Sequence, residues 1–442
     1  MSGGRDGRDL PGHAAAENTV VITGMGAVTP SGIGAPALWD AAVHGRSAIR
    51  RLEGPEFDDL AVRIGGQVTG FDPDGLVPTG LARRLSPVQL WAIAAADEAL
   101  RHAGMAAEPG AFGATGGDPD RVAIIAATGS GPVDAMQAAT RALDARGPRA
   151  VPLSLAVYGA PDAAAALLSQ RYGVTGPAQG VSATCASGAI ALGEALRRIR
   201  HGYADAVLVV GMEDCLGAVN LASNANLRAL AAGVENDPGA ACRPFDRARS
   251  GFVMAQGAAA ILLESAAHAS ARGALPLAEL AGFGASSDAH HATAPHPEGR
   301  GAARAVVQSL ADAGVSAADI DHVNLHGTGT PAGDTAEIAA LDAALGERAR
   351  EIPLTATKSS TGHLLGASGV VEAVLAVQTL REQLVPPTLN LADPEFPEYD
   401  LVAEVARTAT LRTVLSTSFG FGGHNGAIVL RGLPGAAKKP HL

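Results

Sequence analysis

Short apolar runs alternate with longer segments of helical periodicity along most of the chain. The runs VVIT at 20–23 and RVAIIAATG at 121–129 are rich in Val, Ile and Ala and lead into glycine, as buried strands do. Between them, SPVQLWAIAAADEALRHAG at 86–104 has Ser86 at a predicted N-cap, Pro87 at the first helical position and a closing glycine. This alternation predicts an α/β fold with sheets covered by helices.

Two segments of the sequence resemble each other. CASGAIALGEALRRIR at 185–200 and GASGVVEAVLAVQTLR at 366–381 both place Ala-Ser-Gly at the start of an apolar helix. Because this triplet is common, the similarity alone is weak evidence; it supports an internal repeat only together with the predicted strand before each segment. We infer two related halves, each sending a small-residue helix into the interior. The predicted organisation is a disordered leader at 1–18, an N-terminal half at 19–267, a C-terminal half at 268–432 and a tail at 433–442.

Composition excludes several classes of function. The formal net charge of -11 argues against a nucleic-acid partner, since phosphate binding needs a basic surface. Three cysteines without a Cys-x-x-Cys pair form neither a disulfide framework nor a structural zinc site, so we expect a reducing cytoplasm. The polar start of the chain lacks the apolar core of a signal peptide, and no apolar run approaches the roughly 20 residues that span a bilayer.

One cysteine has the setting of a nucleophile. VSATCASGAIALGEAL at 181–196 places Cys185 at a turn that enters a helix. A helix N-terminus carries partial positive charge, which favours thiolate over thiol and predicts a lowered pKa. The alternative is a small buried core cysteine. Cys215 and Cys242 have no comparable setting and are expected to be structural.

Two loops in the second half could present catalytic side chains. His326 follows an apolar strand in NLHGTGTPAGDTAE, and Lys358 and His363 lie in TKSSTGHLLGASGVVEAVLAV before the second small-residue helix. Lys358 could orient a histidine or pair with Glu372, because a buried ammonium needs a partner. The alternatives are a histidine bonded by loop backbone groups and an exposed lysine. We interpret Asp334 and Glu337 as capping and ion-pair residues.

The segment STSFGFGGHNGAIVL at 416–430 predicts a strand, a glycine-rich turn and a returning strand. Backbone N–H groups in such a turn can form an oxyanion hole, although a plain hairpin fits the composition equally well. A cysteine thiolate could accept an acyl group from a thioester. Two neutral imidazoles could then donate hydrogen bonds to an enolate formed by decarboxylation, with no metal or redox cofactor.

Six segments occur in an order that resembles the β-ketoacyl-acyl-carrier-protein synthases, and more closely their chain-elongating bacterial type II branch. The segments are VVITGMGAVTPSGIG, VSATCASGAIALGEAL, RPFDRARSGFVMAQGAA, LHGTGTPAGD, TKSSTGHLLGASG and SFGFGG. The resemblance covers about residues 19–432. It implies the thiolase fold, with two similar α/β halves in a layered α-β-α-β-α unit. It also implies an obligate dimer, either a homodimer or a heterodimer with a related ketosynthase-like subunit.

The same resemblance implies roles for individual residues. Cys185 matches the acylated nucleophile, and His326 and His363 match the two catalytic histidines. Lys358 matches a lysine that supports the site, and Glu372 matches its carboxylate partner. The oxyanion hole and gate would comprise the backbone N–H groups of Cys185 and Phe421 together with the rings of Phe419 and Phe421.

Several positions depart from the family pattern. Small or rigid residues stand where relatives carry larger apolar groups along the acyl tunnel: Pro132, Gly159, Ala160 and Ala163. They predict a tunnel for longer or stiffer chains, unless backbone or partner side chains refill the space. Thr184 precedes the nucleophile in place of Ala, His424 replaces a Thr after FGFGG, and Glu235 replaces a basic docking residue.

The resemblance implies acyl carrier protein, in its acyl and malonyl forms, as the partner. Arg83 and Arg84 match a basic docking patch, with a solvated pair that caps a helix as the alternative. We therefore expect a ketosynthase that condenses malonyl carrier protein with an acyl group on Cys185, in a type II polyketide or other specialised pathway. The alternatives are a housekeeping synthase of fatty-acid synthesis and a non-catalytic chain-length subunit; a degradative thiolase would need a second cysteine near the C-terminus, where the chain reads SFGFGGHNG.

Overall fold

The computed structural model describes residues 19–108, 110–115 and 117–433. The predicted leader at 1–18 and all of the predicted tail except Leu433 lie outside these residues. The strands are β1 (Val20–Thr29), β2 (Gly32–Ile33), β3 (Ile49–Arg51), β4 (Ile64–Gly66), β5 (Val122–Ala127), β6 (Ala178–Val181), β7 (Ala206–Glu213), β8 (Gly257–Ser265), β9 (Ala278–Ser287), β10 (His322–Asn324), β11 (Leu354–Thr355), β12 (Leu384–Val385), β13 (Arg407–Thr408), β14 (Thr413–Gly420) and β15 (His424–Arg431).

The helices follow the predicted alternation with these strands. They are α1 (Ala35–Val43), α2 (Thr79–Ala82), α3 (Pro87–His102), α4 (Ala111–Ala114), α5 (Val133–Arg146), α6 (Ser154–Tyr158), α7 (Ala163–Tyr172), α8 (Ser187–Arg200), α9 (Ala218–Asn226), α10 (Ala266–Ala271), α11 (Arg300–Ala313), α12 (Pro331–Leu345), α13 (Lys358–Thr361) and α14 (Ser368–Glu382). As predicted, Ser86 is the N-cap of α3 and forms a capping box with Gln89. No helix within the described residues is long and apolar enough to cross a membrane.

An 11-stranded mixed sheet runs through the molecule in the order β11-β10-β14-β15-β9-β1-β8-β7-β5-β6, with β2 paired to β1. Its two sides repeat one pattern. In the first half β5 pairs in parallel with β6 and β7, and antiparallel pairs continue to β8 and β1. In the second half β10 pairs in parallel with β11 and β14, and antiparallel pairs continue to β15 and β9. The fold class is confirmed as α/β, while the exact boundary between the halves stays a prediction.

The two small-residue helices lie at the centre of the molecule. All of α14 is buried except its last two residues, and α8 packs with it in the largest apolar core. A Cβ added at Gly188 of α8 would lie 2.7 Å from the backbone nitrogen of Val370, and one at Gly369 would lie 2.5 Å from that of Ala189. Real Cβ contacts are never so short. The small residues therefore allow the N-terminal ends of α8 and α14 to touch, and the loops that precede these ends meet at one point.

Candidate active site

An open cavity of about 730 Å³ lies where these loops meet. Its inner wall contains Cys185, His326 and His363, with Phe419 and Phe421 beside them. Its outer wall is formed by the loop between β9 and α11 and by the first turn of α12. The structure thus brings together the predicted nucleophile, both predicted histidines and both predicted gate residues.

Cys185 lies two residues before α8, in a tight turn that buries its side chain. Burial has the largest effect on the pKa of this thiol; the charge of Lys358 and, less strongly, the nearby backbone N–H groups of Phe421 and of Cys185 itself lower it. Burial outweighs them and raises this pKa to about 12. The lowered pKa that we predict from the helix terminus is therefore wrong, because removal from water disfavours the thiolate more than the nearby donors favour it.

His326 follows β10 in a loop held from beneath by two buried carboxylates. The backbone N–H groups of His326 and Gly327 donate to Glu337 at 2.8 Å each, and Gly329 N–H donates to Asp334 at 3.1 Å. Burial raises the pKa of Asp334 to about 7 and also raises that of Glu337, against the pull of these donors. Asp334 pairs with Arg249 as we expect, but Glu337 acts as an acceptor for the backbone of the loop and not as a cap.

Lys358 lies beneath His326 and is fully buried. Its ammonium group is 3.3 Å from His326 Nδ1, donates to the His326 carbonyl at 2.6 Å, and forms an ion pair with Glu372. Burial raises the pKa of Glu372 to about 7, while Lys358 opposes that shift. An ammonium group has no lone pair, so His326 Nδ1 must accept, and the ring proton must lie on Nε2.

His363 faces His326 across the cavity, with ring centroids 5.4 Å apart and nearly perpendicular planes. Its Nδ1 lies 3.0 Å from the hydroxyl of Ser368, at the start of α14. Phe252 packs against the His363 ring with centroids 5.4 Å apart. Burial first, and then the charge of Lys358, hold the pKa values of both histidines well below the usual range. Both imidazoles are therefore neutral near pH 7 and can act as hydrogen-bond donors.

The loop between β14 and β15 closes the cavity over the sulfur. Phe421 lies in the turn after β14, and its ring packs against Phe252 with centroids 6.5 Å apart. The Phe419 ring lies 5.8 Å from that of His326. A Cβ added at Gly420 would lie 2.2 Å from the Thr184 hydroxyl and 3.0 Å from the Cys185 nitrogen, so only glycine lets this loop touch the nucleophile turn.

A further carboxylate, Glu213 at the end of β7, joins three loops around the nucleophile. It accepts hydrogen bonds from the backbone N–H groups of Gly129, Ser130 and Gly366 at 2.6, 3.0 and 2.9 Å, and from the Thr128 hydroxyl at 3.2 Å. Burial raises the pKa of Glu213 to about 7, and these donors pull it down. Sequence analysis missed this residue, although a carboxylate that ends the apolar run AVLVVGME was a visible signal.

Comparison with known proteins identifies the family. Residues 17–269 match the Beta-ketoacyl synthase, N-terminal domain, and residues 277–392 match the Beta-ketoacyl synthase, C-terminal domain. The chain belongs to the β-ketoacyl synthase family. It is therefore an acyltransferase that carries out the condensing chemistry of these enzymes.

Relatives of this ketosynthase cover nearly its whole length. It is 38% identical over 422 residues to 3-oxoacyl-[acyl-carrier-protein] synthase 2 of Rhizobium meliloti (strain 1021), covering 93% of this chain and 98% of the relative. It is also 38% identical over 419 residues to the protein of that name in Vibrio harveyi, covering 94% of this chain and 99% of that protein.

Solved structures share its thiolase fold. A β-ketoacyl synthase from Burkholderia phymatum STM815 superposes with a TM-score of 0.85 at 33% identity, over 94% of this chain and all of that one. A second solved structure contains a type II polyketide synthase acyl carrier protein in complex with its ketosynthase bound to the hexaketide. One chain of this complex superposes with a TM-score of 0.84 at 29% identity, over 94% of this chain and 100% of the matched chain.

The predicted tunnel residues of this ketosynthase lie near the nucleophile turn but outside the cavity. Pro132 is buried at the N-cap of α5, and Ala163 is buried at the start of α7, whereas Gly159 is half-buried and Ala160 is exposed. None of the four lines the cavity that contains Cys185. Gly129, three residues before Pro132, nevertheless lies beside the nucleophile turn, since a Cβ added at Gly129 would be 3.7 Å from the Thr184 carbonyl oxygen.

The predicted docking residues lie on the surface. Arg83 and Arg84 are exposed between α2 and α3, with Arg83 as the C-cap of α2, so they precede α3 and do not open it. Arg84 and Gly159 line one surface pocket of about 380 Å³. The structure thus places a predicted docking residue beside a predicted tunnel residue.

Proposed function

We propose that this chain condenses malonyl-acyl carrier protein with an acyl group held on Cys185, in a type II polyketide or other specialised pathway. The observation that carries the proposal is the enclosure of one nucleophilic thiol, two neutral imidazoles and two backbone donors in a single cavity. A non-catalytic chain-length subunit would not need this complete set.

The first half-reaction would be acyl transfer. The Cys185 sulfur attacks the carbonyl carbon of the incoming thioester, and its proton passes to the departing carrier thiol through one of the neutral imidazoles. The negative charge that develops on the carbonyl oxygen is met by the N–H groups of Cys185 and Phe421. Because burial keeps the thiol protonated, transfer of its proton would accompany the attack.

The second half-reaction would form the new carbon–carbon bond. The malonyl thioester oxygen accepts hydrogen bonds from Nε2 of His326 and from His363, which stabilise the enolate as the carboxylate leaves as CO2. The enolate carbon attacks the acyl thioester on Cys185. The Cys185 thiolate then departs and takes up a proton from solvent, leaving a β-ketoacyl chain on the carrier.

Unpaired polar groups on α5, whose N-cap is the predicted tunnel residue Pro132, and on α9 support a polyketide chain over a saturated one. The side-chain amide nitrogens of Gln137 on α5 and Asn220 on α9 are buried and have no hydrogen-bond partner within the described residues. A Cβ on Gly217, just before α9, would lie 3.5 Å from the Gln137 nitrogen, so the two helices adjoin there. Unpaired donors are costly beside an alkyl chain but could bond the carbonyl oxygens of a polyketide.

Fatty-acid elongation is the second candidate, because the relatives named 3-oxoacyl-[acyl-carrier-protein] synthase 2 are up to 38% identical to this chain. One experiment separates the two candidates. The protein is incubated with malonyl carrier protein and with carriers that hold saturated or β-keto acyl chains of equal length, and products are read by mass. Preference for β-keto chains would support the polyketide proposal, while elongation of saturated chains alone would favour fatty-acid synthesis. No acylation of wild type, judged against Cys185→Ala, would reject both.

We further propose that the chain forms a dimer, either with a second copy of itself or with a related ketosynthase-like subunit. Strand β6 ends the large sheet and pairs only with β5 within the described residues. The same half exposes large apolar side chains on α5, on α6, and on α9 with its C-cap: Met136, Val157, Val219 and Leu227 are each more than half exposed. An exposed strand edge with an apolar surface fits an interface between subunits. Acyl carrier protein would dock at Arg83 and Arg84, where positive charge meets an acidic partner.

A further inference from the structure

Thr184, the residue before the nucleophile, has an unusual backbone conformation. Its φ of 50° lies in the left-handed region, where a β-branched side chain is strained. Such strain persists only where surrounding contacts hold it, and it concentrates at functional sites. We therefore expect the contacts of the Thr184 side chain to hold this strained backbone conformation.

The Thr184 hydroxyl has two acceptors within reach. The Ala183 carbonyl lies at 2.8 Å and the Phe421 carbonyl at 2.9 Å. The first belongs to the same turn, whereas the second belongs to the loop whose N–H faces the Cys185 sulfur. The hydroxyl thus joins the nucleophile turn to the gate loop.

The peptide unit between Phe421 and Gly422 is held on both sides. Its carbonyl accepts from Thr184, and its N–H donates to the Ala292 carbonyl at 2.7 Å. Gly422 and Gly423 both have positive φ, at 82° and 74°, so this stretch of backbone has several accessible conformations when nothing restrains it. The two hydrogen bonds select one of them.

We propose that Thr184 is a positioning residue whose hydroxyl, by holding the Phe421 carbonyl, keeps the Phe421 N–H aimed at the thioester oxygen. The proposal rests on the proposed function, since it assigns that N–H to the oxyanion hole. Thr184 itself touches no reacting atom. Without the hydroxyl, the gate loop would leave this conformation for part of the time and the oxyanion would lose one of its donors.

The test compares Thr184→Val, which keeps the shape and removes the hydroxyl, with Thr184→Ser, which keeps the hydroxyl. Self-acylation of Cys185 is followed by intact mass, and alkylation of Cys185 by iodoacetamide is followed in parallel. Alkylation needs the thiolate but forms no oxyanion, so a general disturbance of the site would change both rates. We expect Thr184→Val to slow acylation about tenfold at saturating acyl carrier protein with an unchanged KM, and to leave alkylation unchanged.

Thr184→Ser should recover most of the acylation rate. Acylation by Thr184→Val at the wild-type rate would overturn the proposal, and so would equal slowing of acylation and alkylation. Failure of the wild-type protein to become acylated would instead reject the proposed function. Thermal unfolding of both variants identifies loss of fold, and in that case Thr184→Ala provides the comparison with Thr184→Ser.

Discussion

Lys358 Nζ lies 3.3 Å from His326 Nδ1 and is ion-paired with Glu372, and all three side chains are buried. One cation therefore has two effects. It fixes the tautomer of His326 so that Nε2 carries the proton, and its charge helps to keep both histidines neutral. Glu372 holds this cation in place but touches neither ring. Lys358 thus contributes to stability through its ion pair with Glu372, and to catalysis by keeping a proton on Nε2 of His326 for hydrogen-bond donation.

Replacement of Lys358 should separate its contribution to stability from its contribution to catalysis. Lys358→Met leaves Glu372 buried without its partner and should lower the free energy of unfolding by about 3–5 kcal/mol. Adding Glu372→Gln removes the unpaired charge, so the double variant should regain much of that stability in urea unfolding. Release of CO2 from malonyl carrier protein should remain impaired in both variants. Recovery of decarboxylation together with stability would mean that Lys358 serves only the fold.

The two histidines should matter more for decarboxylation than for acyl transfer. His326→Ala or His363→Ala removes a donor to the enolate, which is worth about 3–4 kcal/mol, or roughly a hundredfold to a thousandfold in rate. Self-acylation of Cys185 keeps both backbone donors and should fall less. The two half-reactions are measured separately, as CO2 release and as a mass shift of the protein. Equal loss in both would indicate that the histidines chiefly activate the thiol.

Neither His326 nor His363 should gain a proton between about pH 6 and 8, so protonation of these rings should not limit decarboxylation by the wild-type protein in this range. The pKa values of His326 and His363 are held well below 6.5 by burial, so neither ring gains a proton in this range. Protonation of either histidine ring with a midpoint near pH 6.5, followed by NMR of the ring protons, would contradict this. Because Lys358 contributes to the lowered pKa, the Lys358→Met/Glu372→Gln variant should protonate these rings closer to neutral pH than the wild type does.

The sequence predicts the fold class and the convergence of the main site residues for a physical reason. Cys185, His326 and His363 each follow a strand or precede a small-residue helix, and such positions meet when the two helices pack. The pairing of Lys358 with Glu372 follows from the cost of an unpaired buried ammonium. The assignment of catalytic roles to these residues stays a prediction that the experiments above test.

What the sequence does not reveal depends on tertiary burial. The pKa of Cys185 is raised because neighbouring chain segments remove the thiol from water, which a local helix-terminus argument does not include. Glu213 accepts the N–H of Gly366, 153 residues away, and Glu337 accepts the N–H of Gly327, 10 residues before it, so neither partner lies at helical spacing. The hydroxyl of Thr184 likewise meets a carbonyl 237 residues away.

Glu213 should be essential for the geometry of the nucleophile turn. Glu213→Gln replaces one acceptor oxygen by an amide that faces backbone N–H groups, leaving buried donors unpaired at about 1–3 kcal/mol each. We expect a lower unfolding free energy and slower acylation of Cys185. Glu347→Gln is the matched control, because the Glu347 side chain is 95% exposed. Wild-type stability in Glu213→Gln would show that the three loops hold their positions without the carboxylate.

The tunnel prediction can be tested at a position where a single chain tolerates added volume. Ala160 is exposed between α6 and α7, close to the face where we propose that a second subunit binds, so Ala160→Phe should not disturb the core. If a partner encloses this position beside the acyl chain, the phenyl ring occupies space that substrate methylenes would fill at about 0.8 kcal/mol each. Products should then become shorter, while acylation of Cys185 by a short acyl thioester keeps its rate.

Ala166→Phe, on an exposed site of α7, is the control for surface bulk. Unchanged product length in Ala160→Phe would exclude this residue from the tunnel and would assign chain length to the partner subunit.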